Sequence, residues 1–136
     1  MKKLFILLFL IIPVHAQMGD INNRYLLAQS YEQAGEIKKA KEIYEELFRI
    51  QPQNPSFFSS LNNALVALKD FDKSIELLNQ RIKTYPQEIN LYGMLGCSYF
   101  LSGNEKEAGD IWLNTAKSLS KNESSFRVIA NYALSV

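Results

Sequence analysis

Small, apolar and aromatic residues recur along this chain at a fixed interval of 34 residues. A period of this length indicates a stack of similar units, because each unit buries one face against the next. Five positions share the interval, which is hard to obtain by chance, and they divide most of the chain into three consecutive units. These positions are Leu27/Leu61/Leu95, Tyr31/Leu65/Tyr99, Ala40/Ser74/Ala108, Tyr44/Leu78/Trp112 and Pro52/Pro86.

Within each unit the apolar spacing is that of two α-helices. In the first unit, the apolar residues of 24–31 and of 37–47 each follow a helical period. Gly35 and Gly103 separate the two helices of the first and third units, where glycine removes the cost of a left-handed residue at a helix end. Lys69 holds that place in the second unit, so we expect a strained or differently shaped turn there.

Capping residues and residue sizes complete this prediction. Asn54 before Pro55 predicts an N-cap followed by the first helical position, and Asn104 with Glu107 predicts a capping box. Each unit is therefore expected to be a hairpin of two helices. Small residues should let the two helices approach closely, while large rings such as that of Trp112 fill the space between neighbouring hairpins.

The third unit carries the fullest pattern. It has Tyr92, Leu95, Gly96, Tyr99, Ala108 and Trp112 in order, and in this it resembles the tetratricopeptide repeat (TPR), whose signature places these residue types on a first (A) and a second (B) helix. The second unit departs from the pattern, because Asn62 and Ser74 occupy the close-contact points. The middle hairpin is therefore expected to be less tight.

The resemblance covers residues 21–136. It implies an all-α fold, a right-handed α-solenoid of TPR helix-turn-helix repeats with three full repeats and one extra A helix. The predicted organisation is a signal peptide at 1–16 and a TPR domain at 17–136. Within that domain the repeats are 21–54, 55–88 and 89–122, and a partial repeat or capping helix occupies 123–136.

In the TPR family the A helices line a concave groove that binds peptides or partner helices. The A-helix residues that packing does not use repeat every three or four positions, so they form one line along each helix; we call these residues the stripe. Tyr25 and Phe100 are predicted anchors, the amides are predicted to orient a ligand backbone, and Ser59 and Gly93 should leave the middle open. The alternative is that the amides are only solvated and the aromatic rings pack on neighbouring helices. The predicted groove residues are Asn22, Tyr25, Gln29, Ser59, Asn63, Asn90, Cys97, Phe100, Arg127 and Asn131.

Composition argues against several other functions. The formal net charge of +1 includes Lys2 and Lys3, which lie in the predicted leader, so the remaining residues carry a net charge of about −1. A nucleic-acid-binding surface needs an excess of positive charge, so this function is not favoured. The single histidine, His15, lies in the predicted leader. The rest of the chain therefore lacks the imidazole of a Ser/His/Asp or Cys/His site. No Gly-rich phosphate loop occurs, so we predict no enzyme activity, no cofactor and no metal.

The N-terminal residues predict export. Lys2 and Lys3 precede a nine-residue apolar run, which is too short to span a bilayer. Pro13 follows the run, and Val14-His15-Ala16 then provides a cleavage site of the A-x-A kind, as in a secretory signal peptide. The protein is therefore expected in a bacterial periplasm, at the cell surface or outside the cell, with no stable membrane span after cleavage.

Cys97 is the only cysteine, so it has no partner for an intramolecular disulfide. A small buried apolar residue is the favoured interpretation. An intermolecular bridge and a reactive thiol are the alternatives.

The C-terminal helix suggests a second way of working. Phe126 and Ile129 are expected to cover the third repeat, whereas Val128 and Tyr132 should face a B helix that does not follow. This edge could belong to a capping helix, a self-association surface or a truncated longer array. The leading hypothesis is a non-enzymatic adaptor or scaffold that binds a protein or peptide in its groove. The alternatives are an assembly subunit of an envelope complex, acting through the C-terminal edge, and the recognition arm of a larger protein.

Overall fold

The computed structural model describes residues 14–119 and 121–136. In these residues the chain forms helices and no strand, arranged as successive antiparallel pairs followed by one more helix. The period predicts these stacked hairpins, and the resemblance implies the TPR α-solenoid that they form, with three hairpins and an extra A helix. The helices are α1 Val14–Gln33, α2 Ile37–Ile50, α3 Pro55–Ala67, α4 Phe71–Thr84, α5 Ile89–Leu101, α6 Glu105–Ser118 and α7 Glu123–Leu134.

The N-terminal leader lies largely outside the described residues. Residues 1–13 are not described, and α1 already begins at Val14, so the predicted leader of 1–16 stays a prediction. Within the described parts of the chain, none of the helices has the length and apolar character needed to cross a membrane.

The three hairpin turns share one backbone shape. Gly35, Lys69 and Gly103 have φ angles of 78°, 59° and 90°. At the third turn, the Asn104 N–H donates to the Tyr99 carbonyl at 2.9 Å, as in a Schellman cap. Lys69 thus adopts a left-handed conformation that costs a non-glycine residue about 1–2 kcal/mol. The expected strain in the middle turn is confirmed.

Two predicted helix starts have different outcomes. The Asn54 side chain accepts hydrogen bonds from the Ser56 and Phe57 N–H groups, with Pro55 in the first turn, as predicted. The predicted capping box at Asn104 is wrong, because the Asn104 side chain makes no cap bond and its amide nitrogen donates instead to the Ser102 hydroxyl at 2.9 Å.

The first core lies between α1, α2 and α3. Tyr44 is fully buried and packs with Ala28, Ala40 and Leu61, so its ring fills the space between the first two hairpins, as predicted. Its hydroxyl donates to the Glu32 carboxylate at 2.7 Å. Burial and then this hydrogen bond raise the pKa of Tyr44, because both favour the protonated phenol.

The third hairpin is held together by a large ring over glycine. A Cβ at Gly96 would overlap the indole of Trp112, so only glycine lets α6 place this ring against α5. The indole N–H donates to the Gly93 carbonyl at 3.1 Å, and Ala108 is fully buried nearby. Trp112 therefore packs within its own hairpin, whereas the sequence analysis placed its ring between hairpins.

The middle hairpin uses polar side chains at the same contact points. Ser74 on α4 donates to the Asn62 side-chain oxygen on α3 at 2.7 Å, and its hydroxyl lies 2.8 Å from that of Ser98 on α5. We call Asn62, Ser74 and Ser98 the polar triad; they are 3%, 0% and 1% exposed. The backbones of α3 and α4 stay close over a shorter stretch than those of α5 and α6. The expectation of a less tight middle hairpin is confirmed.

The last helix packs differently from the prediction. Ile129 is buried as expected, but Phe126 is 53% exposed. Tyr132, expected to face away from the third repeat, lies with its ring directly over Gly93 of α5. The predicted faces of these two aromatic residues are therefore wrong, because α7 uses its Tyr132 side to cover α5.

The other end of the array is also partly open. Leu27 belongs to a repeating position whose counterparts Leu61 and Leu95 are buried, yet it is 48% exposed. Its neighbour Leu26 is exposed as well. In the later repeats the preceding hairpin covers this position, whereas no described helix precedes α1.

Candidate interaction surface on the A helices

The amide residues of the stripe remain available for contact. Each of the four A helices, α1, α3, α5 and α7, presents one exposed asparagine of the stripe. Ser59 and Arg127 are exposed as well, whereas Gln29 is half-buried. The exposed asparagines, one to each A helix, are Asn22, Asn63, Asn90 and Asn131.

Tyr25 serves mainly as a packing residue. Its ring lies 5.2 Å from the ring of Phe57 and 5.8 Å from that of Tyr44, measured between centroids. Its hydroxyl is 3.0 Å from the hydroxyl of Ser60 on α3. The interpretation that the aromatic residue packs on neighbouring helices therefore holds for Tyr25, and only its exposed edge remains part of the stripe.

Phe100 and Cys97 are half-buried on α5. The Phe100 ring centroid lies 6.3 Å from the Trp112 ring centroid. The Phe100 ring therefore packs against α6, and part of it remains exposed to solvent. The Cys97 sulfur is 3.7 Å from the Tyr132 carbonyl oxygen of α7. Burial raises the pKa of the Cys97 thiol, which disfavours the reactive thiolate.

Gly93 does not leave the middle of the stripe open. The Tyr132 ring of α7 occupies the space where a side chain at Gly93 would lie, and Gly93 is buried. The expected open centre at this position is therefore wrong. Ser59 on α3 remains exposed, so free space on the stripe lies nearer the first two repeats.

The last part of the stripe lines a shallow depression. Arg127 and Asn131 border it, together with Glu123, Ser124 and Val128, and its volume is about 470 Å³. Arg127 is the only cation among the ten predicted groove residues. The stripe is thus dominated by amides, with one arginine in its last helix.

This arrangement suits hydrogen bonding to a peptide backbone. An asparagine side chain offers both donors and acceptors. Asn22 and Asn90 share one position of the repeat and Asn63 and Asn131 share another, so each A helix presents one. Within the described residues, no cluster of three or more histidine, cysteine or acidic side chains could hold a metal ion.

Comparison with known families supports the first repeat directly. A family model described as "Tetratricopeptide repeat" matches residues 21–54, the predicted first repeat. No curated protein matches the chain in sequence.

Several solved structures share the fold at low sequence identity. The type III secretion translocator chaperone SycD of Yersinia enterocolitica is 15% identical, with a TM-score of 0.68 over 85% of this chain and 86% of SycD. PcrH of Pseudomonas aeruginosa is 13% identical, with a TM-score of 0.67 over 85% of this chain and 88% of PcrH. Another structure contains PcrH in complex with the chaperone binding region of PopB.

A third solved structure extends the comparison. MamA AMB-1 is 20% identical, with a TM-score of 0.58 over 85% of this chain and 63% of MamA. At these identities the likenesses show the fold alone. Together with the family match, they identify the chain's architecture as TPR-like and its residues 21–54 as similar to a tetratricopeptide repeat.

Proposed function

We propose that this chain is an exported, non-enzymatic adaptor that binds an extended peptide or a partner helix along the stripe. The observation that carries this proposal is the set of exposed asparagines, one on each A helix. None of them is used in a side-chain hydrogen bond among the described residues, so their donors and acceptors are available to a ligand.

The character of the stripe points to a largely neutral ligand segment. Amides dominate, and they pair with peptide N–H and carbonyl groups at low electrostatic cost. Phe100 adds a half-buried aromatic surface that a ligand side chain can contact. PcrH, which shares the fold, has been solved with a binding region of PopB, and this supports a protein ligand here.

Export is proposed from the leader alone. Residues 1–16 follow the order of a secretory signal peptide, with two lysines, a short apolar run and a small residue at position 16. The proposed location is the bacterial periplasm or the cell surface.

A second candidate function is assembly through the C-terminal edge. Phe126 is 53% exposed and Leu134 is 83% exposed on the last described helix. An apolar edge of this kind can stack against another protein or a second copy of the chain.

The test compares two double variants of the full chain in affinity capture from envelope extract. Asn63→Arg/Asn90→Arg places charge on the stripe, and Gln87→Arg/Asn114→Arg makes the same chemical change at exposed positions off the stripe. We expect wild type and the second variant to retain the same partner and the first variant to lose it, with equal helicity by circular dichroism. Loss in neither variant, or capture of the chain alone, would favour the assembly candidate.

A further inference from the structure

A cleft lies between B helices α2 and α4, away from the stripe; we call it the α2–α4 cleft. It has a volume of about 200 Å³ and is lined by residues of α2, the α2–α3 turn and α4, with no stripe residue among them. Phe48 and Leu77 form apolar walls, and Arg81 is the only charged residue of the lining. The cleft is therefore a small, partly apolar site with a single positive charge.

Arg81 is held in a fixed position by its neighbours. The guanidinium carbon lies 4.4 Å from the Tyr85 ring centroid and 4.9 Å from that of Phe58. Its Nη1 donates to the Pro52 carbonyl oxygen at 2.9 Å. Stacking on two rings fixes the plane of the guanidinium, so its remaining N–H groups keep one direction.

The positive charge lacks a carboxylate partner. None of the ion pairs in residues 14–119 and 121–136 includes Arg81. Its Nε is buried and makes no hydrogen bond. Arg81 is half-buried, and one carbonyl and two rings compensate its charge, so an incoming carboxylate can form a charge-assisted hydrogen bond with the exposed part of the guanidinium.

The next hairpin provides an internal comparison. A cleft of about 300 Å³ lies at the corresponding place between α4 and α6. Five lining positions of the α2–α4 cleft have a counterpart 34 residues later in the α4–α6 cleft. They are Leu77/Ile111, Gln80/Asn114, Arg81/Thr115, Thr84/Ser118 and Tyr85/Leu119. The repeat thus forms the same cleft twice, and only the first copy is charged.

From these observations we propose that the α2–α4 cleft binds an acidic side chain of a protein partner, with Arg81 contacting its carboxylate. Gln53, Gln80 and Thr84 line the same cleft. Their amide and hydroxyl groups can bond to the peptide backbone on either side of the acidic residue. This second contact is independent of the stripe, and it selects a partner segment that has a glutamate or aspartate within the chain.

The test uses short peptides and the full chain. Ac-Ala-Glu-Ala-NH₂ is titrated into ¹⁵N-labelled protein beside its neutral counterpart Ac-Ala-Gln-Ala-NH₂, and Ac-Ala-Leu-OH supplies a C-terminal carboxylate. We expect saturable amide shifts at Gln80, Arg81 and Thr84 with the glutamate peptide, and at least about tenfold weaker binding of the glutamine peptide. Equal binding of the glutamine peptide, or tighter binding of Ac-Ala-Leu-OH, would overturn the proposal.

Variants separate binding from folding. Arg81→Gln removes the charge and should abolish the shifts. Because Arg81→Gln also removes the stacking on the two rings, a second variant, Gln80→Glu, is needed. This variant leaves Arg81 in place and supplies a competing carboxylate. Asn114→Glu makes the same change in the uncharged cleft and should bind like wild type. Unchanged binding in Gln80→Glu would overturn the proposal even if Arg81→Gln does not fold.

Discussion

The middle and third hairpins solve the same packing problem with different chemistry. In the third hairpin, Gly96 accepts the Trp112 ring at close range. In the middle hairpin, Asn62 holds the place of Gly96 and bonds to Ser74 across the helix pair. The polar contact also reaches Ser98 on the next hairpin. The Gly96–Trp112 contact is confined to one hairpin, whereas the polar triad joins two hairpins.

The difference shows what a repeat period does and does not impose. The period fixes which positions meet between helices, since Asn62 and Gly96 occupy one position in the repeat. It leaves open whether the contact is filled by a ring over glycine or by hydrogen bonds. The polar triad is buried whereas Trp112 is half-buried. The triad tolerates fewer single changes, because each partner left behind is a buried polar group.

The largest expected effect is on the ring of the third hairpin. Trp112→Ala should lower the free energy of unfolding by about 3–5 kcal/mol, because it removes the ring over Gly96 and the bond to the Gly93 carbonyl. Urea denaturation followed by circular dichroism measures this loss. Leu113→Ala, at the 52% exposed neighbouring position, is the control and should change stability by less than about 0.5 kcal/mol. Similar losses in both variants would refute the special role of the ring.

The polar triad should show a smaller loss that can be reversed. Ser74→Ala removes the hydroxyl that both other members contact, so Asn62 and Ser98 remain buried and lose this partner. We expect a loss of about 1–3 kcal/mol in the same denaturation experiment.

The triple variant Asn62→Leu/Ser74→Ala/Ser98→Ala replaces the whole triad by apolar groups. It should be more stable than Ser74→Ala alone, because no buried polar group is left without its partner. A triple variant less stable than the single one would show that buried polar groups left without a partner are not the cause of the loss in Ser74→Ala.

The hairpin turns should give opposite effects of about 1 kcal/mol or less. Lys69→Gly should stabilise the chain by about 0.5–1 kcal/mol, since glycine adopts the observed φ of 59° without the side-chain clash. Gly103→Ala should destabilise it by about 1 kcal/mol, because φ is 90° there. Melting temperatures of the two variants test this, and shifts of the same sign would contradict the shared turn geometry.

The smallest effect concerns access to Cys97. Its thiol lies under α7 beside the Tyr132 carbonyl, and burial raises its pKa. Less thiolate is therefore present at a given pH than in a free cysteine. Alkylation by iodoacetamide should be slower than that of a free cysteine, and its rate should rise at a higher pH.

Removing the ring that covers α5 should reverse this effect. Tyr132→Ala uncovers the surface around Gly93 and should raise the alkylation rate several-fold, moving the profile toward lower pH. Phe126→Ala changes an exposed ring on the same helix and serves as the control. An unchanged rate in Tyr132→Ala would mean that α7 does not shield the thiol.

The sequence predicted the fold through its period, because the repeating positions determine which helix faces meet. It also predicted the strain at Lys69 and the cap at Asn54, which depend on local backbone chemistry. It did not predict the position of Tyr132, since the period does not determine which face of α7 packs on Gly93 of α5. The prediction of a capping box at Asn104 is wrong because the Asn104 amide donates to the Ser102 hydroxyl, a contact that the spacing of Asn104 and Glu107 does not indicate.

Side-chain partners across repeats were beyond the sequence analysis. Asn62 and Ser74 were recognised as unusual, but their link to Ser98 requires knowing which residue of the next hairpin lies opposite. The cleft at Arg81 was missed as well. A signal was present, because Leu47 and Thr115 occupy the corresponding positions in the other repeats, and a charge there is out of pattern.

The most direct test of the proposed function is site-specific photo-crosslinking of the full chain in its own cells. A benzophenone amino acid placed at Asn63 or Asn90 samples the stripe, and one placed at Glu42 or Asp110 samples exposed positions of B helices. We predict that one partner crosslinks at both stripe positions and at neither B-helix position. Crosslinking at Glu42 or Asp110 with none at Asn63 and Asn90 would contradict the account.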